Sequence, residues 1–145
     1  RIESRGLGDV YKRQIIDDSQ IKAKNIYVVL VNAKDQLLVE EELMDISQLR
    51  EGTKAFLDNW GKDPDLSDNP QKAIVSLQND RGTSYEMYIS VQNELSAAYR
   101  ELRDREAQKK FGVKYAELKG DNKKEIRKMF PEKISEAEPK NVGEN

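Results

Sequence analysis

The chain contains no cysteine and no histidine. These two absences exclude thiolate nucleophiles, zinc sites built on Cys or His, and the Ser-His-Asp and Cys-His catalytic arrangements. They also remove the side chain most used for acid–base work near neutral pH. An all-carboxylate glycosidase or a magnesium enzyme survives the exclusion, and little else does. No cofactor and no metal is expected. Long hydrophobic runs are missing as well. The longest strongly apolar stretch, Ile26 to Val31, has the length of a strand, whereas a membrane-spanning helix needs roughly 20 apolar residues. Charge of a single sign is missing too. The 25 basic and 27 acidic residues are interspersed and leave a net charge of −2. A nucleic-acid binder would concentrate its cations on one face, so no nucleic-acid partner is expected.

What is present is enough for one modest core, since 37% of the 145 residues are apolar. The first fourteen residues, RIESRGLGDVYKRQ, show neither helical nor strand periodicity. They read as a non-native leader, with the native sequence starting near Ile15. Gly6-Leu7-Gly8 lacks both a preceding strand and a following Lys-Ser/Thr, so it is no phosphate loop. Residues 15–24 read as a polar linker, residues 25–139 as the folded domain and residues 140–145 as a flexible tail. Asp17 and Asp18 belong to the linker.

Within the domain, Asn25 to Asn32 is rich in β-branched and aromatic residues and predicts a buried strand. Gln36 to Glu40 returns as a second strand after the polar turn Ala33-Lys34-Asp35. Asp45 with Gln48 has the spacing of a capping box for a helix that carries Ile46, Leu49, Thr53, Phe56 and Trp60 on one face and stops at Gly61. Lys62 to Gln71 reads as a loop, and Ala73 to Leu77 as a third strand. Thr83, with Glu86 three residues on, predicts the N-terminus of a long helix. Its apolar stripe is Tyr88, Val91, Leu95, Ala98, Tyr99 and Leu102. The charged continuation, Arg100 to Lys110, predicts a helix projecting into water and bridged by its own ion pairs. A shorter helix follows from about Asp121 to Phe130, where Pro131 blocks its continuation. Lys133 to Glu138 predicts a short edge strand. The order of elements implies an α/β fold: a two-layer sandwich, a small mixed β-sheet with helices packed on one face.

Several residue groups invite a functional reading. Asp80-Arg81-Gly82 reads as a strand-to-helix turn. Glu40, Glu41 and Glu42 alternate faces on a strand, so they do not converge on a cation and read as a solvated edge. Tyr88 and Tyr99 share the helical stripe and read as core, whereas Tyr85 lies off it and is a surface candidate. The last strand, with Lys133, Ile134 and Ser135, is the candidate for contacts with a partner or a second copy, by pairing along a sheet edge.

The stretches NIYVVLVNAKDQLLVEEELMDISQLREGTKAFLDN, AIVSLQNDRGTSYEMYISVQNELSAAYRELRDREAQKKFG and ISEAEPKNVG together resemble the ExbD/TolR family of biopolymer transport proteins. The resemblance runs from Asn25 to Gly143, and its most distinctive pieces are NDRGTSYEMY and the terminal segment. Asn79-Asp80 stands where the family's third strand usually ends in an aspartate. The resemblance implies the periplasmic domain of an ExbD-type subunit, without enzymatic activity, that couples the proton motive force to TonB-dependent outer-membrane transport. It implies an inner-membrane anchor through an N-terminal helix not contained in this chain, a homodimer, and an ExbB-type channel subunit and TonB as partners. The family's proton-carrying aspartate belongs to that membrane helix, so no residue here inherits its role. A TolR-like cell-envelope subunit is the alternative, followed by a soluble carboxylate-based enzyme.

Overall fold

Residues 22–136 are described in the computed structural model. The expected leader, most of the expected linker, the end of the last strand beyond Glu136 and the tail at 140–145 lie outside the described residues. Among the described residues no helix is long and apolar enough to cross a membrane. Five strands form one mixed sheet: β1 (Ile26–Val31), β2 (Leu37–Val39), β3 (Glu42–Leu43), β4 (Ile74–Asn79) and β5 (Ile134–Glu136). Their spatial order is β3-β2-β1-β4-β5. β1 pairs antiparallel with β2 and parallel with β4, and β4 pairs parallel with β5. The expected α/β sandwich is the observed architecture.

The β-branched run of β1 packs one face against the helices. Tyr27, Val29 and Val31 are buried there, level with Val75 and Leu77 of β4. Helix α1 (Leu49–Leu57) adds Leu49, Phe56 and Leu57 to the same core. Helix α2 (Tyr85–Phe111) adds Val91, Leu95, Tyr99 and Leu102, the stripe legible in the sequence. The Tyr27 ring stacks on Phe56 with centroids 4.7 Å apart. Burial pushes the Tyr27 hydroxyl up to about 12, against a hydrogen bond with Thr53 that lowers it. α1 approaches β1 so closely at Gly52 that a Cβ there would lie 2.9 Å from the Tyr27 hydroxyl oxygen.

Four local expectations need correction. Glu40 and Glu41 do not lie on a strand. Both have positive φ (52° and 73°) and form the two-residue turn between β2 and β3, a strand absent from the sequence reading. Glu40 stays in the ladder by substitution: its backbone N–H donates to Val28, and its carboxylate accepts from the Val28 N–H at 2.7 Å. Asp45 caps a 3₁₀ turn at Ile46–Gln48 by accepting from Ser47 N–H, and Gln48 makes no reciprocal cap.

Helix α1 ends at Leu57, short of Trp60. The buried Asn59 amide donates to the carbonyls of Asp63 and Ser67 and accepts from the Asp63 N–H, which folds the chain into a loop there. Trp60 therefore leaves the expected stripe. It is 44% exposed and donates its indole N–H to Asp58. Finally, the N-cap of α2 is Ser84, which accepts from Met87 N–H. Thr83 instead donates its hydroxyl to the carbonyls of Val31 and Asn32, both at 3.1 Å. Asp35, across the sheet end, accepts from the Ser84 N–H, and this bond holds its carboxyl below its ordinary range.

The second half of α2 does not project into water. Ala107 is buried against Leu118 and Ile126 in a second small cluster, built with a 3₁₀ turn at Tyr115–Glu117 and helix α3 (Gly120–Met129). Asp104 fixes the approach by accepting from the Tyr115 N–H at 3.0 Å. Ion pairs of the charged stretch also cross between elements. Arg105 reaches Asp58 at 2.7 Å, and Glu101 receives both Arg50 and Lys54. Replacing Ile126 with alanine should cost about 2 kcal/mol, because this small cluster can partly collapse around the void. Amides of residues 113–129 should then lose hydrogen-exchange protection before those of β1 and β4. Simultaneous loss in both regions would mean the two clusters unfold as one unit.

Candidate partner-binding edge

β5 closes one side of the sheet. Its pairing with β4 begins where the Val75 N–H donates to the Lys133 carbonyl at 2.9 Å. In a parallel ladder alternate residues address the same neighbour. Lys133 and Ser135 therefore turn their backbone groups to β4, and Ile134 turns its N–H and carbonyl outward. The strand is positioned by buried groups behind it. The Lys133 N–H donates to the hydroxyl of Tyr99, which is buried in the core. The Lys133 ammonium folds back onto the Gln71 carbonyl. The Ile134 side chain packs on the main core.

Between β5 and α2 runs an open groove of about 410 Å³, lined by Gln92, Asn93, Ser96, Glu132, Ile134 and Glu136. Glu136 accepts from the Tyr88 hydroxyl at 2.6 Å and from the Gln92 amide. Desolvation, with the Glu136 carboxylate beside it, pushes the Tyr88 hydroxyl up to about 12. The groove thus presents two carboxylates, two amides and a hydroxyl beside an open strand edge.

Of the four residues expected to make partner contacts, Lys133, Ile134 and Ser135 lie on or next to this edge. Tyr85 is the first residue of α2 and is 75% exposed. At 100° per residue it falls on the same helical line as Gln92 and Ser96, which places it at the upper end of the groove's helical wall. Lys133 spends its charge on Gln71, and Ser135 points to the sheet face opposite the helices, so neither side chain enters the groove. The sequence reading missed Gln92, Ser96, Glu132 and Glu136. The spacing of Tyr85, Gln92 and Ser96 along one helix line was the available signal.

The carboxylates of Glu94 and Glu101 are held by Arg50 and Lys54, and the Lys54 hydrogen bond is the main reason the Glu101 carboxyl lies below its ordinary range. Among the described residues no three carboxylates are grouped to hold a metal ion.

A family model described as biopolymer transport protein ExbD/TolR matches residues 13–103, well over half of the chain. No curated protein matches the chain. The matched span ends within α2, so the second half of that helix, α3 and β5 lie beyond it.

Proposed function

Because the chain belongs to the ExbD/TolR family, whose members are membrane-associated, non-enzymatic and work with ExbB/TolQ-type and TonB/TolA-type partners, we propose that it is the periplasmic, partner-binding domain of an ExbD-type subunit. In this reading residues 25–139 form the domain, residues 15–24 tether it to a membrane helix upstream of Ile15, and residues 1–14 do not belong to it. The subunit works as a homodimer with an ExbB-type channel and couples the proton motive force to TonB-dependent transport. The chain itself catalyses nothing and needs no cofactor.

The observation that carries the reading is the open β5 edge beside the groove. An extended segment of TonB adds there as a further strand, with backbone hydrogen bonds supplying affinity and the groove supplying selectivity. The same edge serves pairing between two copies.

Ile134 allows a direct test. Its N–H faces outward, so proline there removes the donor a new strand needs and leaves the bonds between β4 and β5 in place. Ile134→Ala trims the same side chain but keeps the donor. Ile134→Pro should weaken binding of a TonB periplasmic fragment about tenfold more than Ile134→Ala does, the equivalent of one or two hydrogen bonds. Equal losses would remove the edge from the mechanism. Copurification with TolQ- and TolA-type proteins in place of ExbB and TonB would assign the chain to the TolR branch.

A further inference from the structure

Several cations in this domain are spent on carboxylates. Arg50 sits 2.9 Å from Glu94, Lys54 2.8 Å from Glu101, Arg105 2.7 Å from Asp58 and Lys110 2.6 Å from Glu125. Helix α3 is different. Lys124, Arg127 and Lys128 are exposed and form no ion pair among the described residues. With Ile126 buried behind them, they fall within an arc of about 100° on the outward side of the helix. Glu125 is turned aside to Lys110, and the exposed Asp121, one turn before Lys124, stands at the edge of the arc. Between Lys109 and Lys133 nine basic residues stand against four acidic ones, in a chain whose net charge is −2.

The fold also decides where this patch sits. β1, β4 and β5 are parallel, so Ile26, Ile74 and Ile134 mark one end of the sheet. The chain enters the domain at that end. Lys24 pairs with Asp68 at 2.6 Å, and the Asp68 N–H donates to the Asn25 side chain at 2.8 Å. Three residues on, the Gln71 amide donates to the carbonyls of Lys128 and Met129, at 3.1 and 3.0 Å. One short loop therefore joins the entry point to the C-terminal end of α3. The turns that carry Lys34 and Arg81 lie at the opposite end of β1 and β4.

We propose that the outward face of α3 docks on an anionic lipid surface. The proposal rests on the reading that the chain is anchored upstream of Ile15, because such an anchor holds this end of the domain nearest the bilayer. Charge complementarity supplies the attraction, which acts only within a Debye length of about 10 Å and so requires that nearness. Lys124, Arg127 and Lys128 form the contact and set the domain's resting orientation. The residues that build α3 lie beyond the span matched by the family model.

The test uses the full chain, without any anchor, and vesicles of one-third phosphatidylglycerol and two-thirds phosphatidylcholine. Cosedimentation should be strong at low ionic strength and weak on pure phosphatidylcholine. Lys124→Gln/Arg127→Gln/Lys128→Gln should lower the partition coefficient roughly a hundredfold, at the usual gain per basic residue near an anionic surface. Lys34→Gln/Arg81→Gln should leave it unchanged. All these side chains are outside the core, so thermal melting should not move in either variant and serves as the folding control. Equal loss in both variants, equal binding to both kinds of vesicle, or binding to soluble peptidoglycan fragments but not to vesicles would each overturn the proposal. Because the assay contains no anchor, failure of the anchor reading would leave vesicle binding intact and so be told apart.

Discussion

Phe56→Ala is expected to lower the stability of the domain by about 4 kcal/mol, near the upper end for a buried aromatic ring. The ring is 2% exposed and lies in the cluster that joins α1, α2 and the sheet. It stacks on Tyr27, and the Phe56 carbonyl accepts the hydroxyl of the buried Ser67. Truncation would lose the transfer energy of the ring, the stacking with Tyr27 and the contacts along the void left behind. Domains of this size are stable by about 5–15 kcal/mol, so the loss is a large fraction of the whole. Urea denaturation should show a midpoint far below that of the unmodified chain, with the melting temperature down by roughly 15–20 °C. Phe56→Leu, which keeps most of the volume, should cost only about 1–2 kcal/mol. A fall below about 1 kcal/mol for the alanine variant would place the ring outside the core.

The second large effect is on transport. A chain in which a family-type membrane helix precedes Ile15 should restore TonB-dependent uptake to cells that lack their own ExbD. Residues 15–145 exported alone should restore none and should reduce uptake in cells that retain ExbD, by occupying TonB. The reason is where energy enters. Coupling to a proton gradient needs an ionisable group within the membrane, and such groups are functional by default there. Among the described residues no helix can carry one across a bilayer. In the proposed reading the domain receives motion from an anchor upstream of Ile15 and passes it on through its contacts. Uptake restored by the exported domain alone would disprove this account.

The elements of the fold legible in the sequence are those set by one dominant force. β1 follows from a β-branched run, and the first half of α2 from an apolar stripe whose Val91, Leu95 and Tyr99 are all buried. Pro131 marks the end of α3 correctly because a proline cannot continue a helix. What escaped depends on partners distant in sequence. Thr83 has the right type and spacing for an N-cap, but carbonyls of Val31 and Asn32 lie within its reach, and the cap passes to Ser84. Glu40 and Glu41 look like strand residues until the Val28 N–H, twelve positions away, claims the Glu40 carboxylate. Arg100 to Lys110 looks solvated because its buried side is narrow: Leu102 and Ala107, with the carboxylate of Glu106 neutralised by Arg105. The groove was illegible for the same reason. Its two walls, Gln92 to Ser96 and Glu132 to Glu136, become neighbours only through the crossover that lays β5 beside β4.

Helix α2 has a mechanical consequence. Its 27 residues span about 40 Å at 1.5 Å per residue. One half is clamped into the main core and the other into the smaller cluster with α3, so it behaves as a beam fixed along its length. Packed interiors compress little and transmit strain. A pull applied at the groove, beside Gln92 and Ser96, therefore reaches the end where the chain enters as a displacement of the packed domain, with little lost to bending. β5 meets the same pull differently according to its direction. Drawn along its axis, its bonds to β4 share the load in shear; lifted away from β4, they break in succession, each bearing the load alone. A tugged partner bound at this edge would thus hold under tension in one direction and be released in the other.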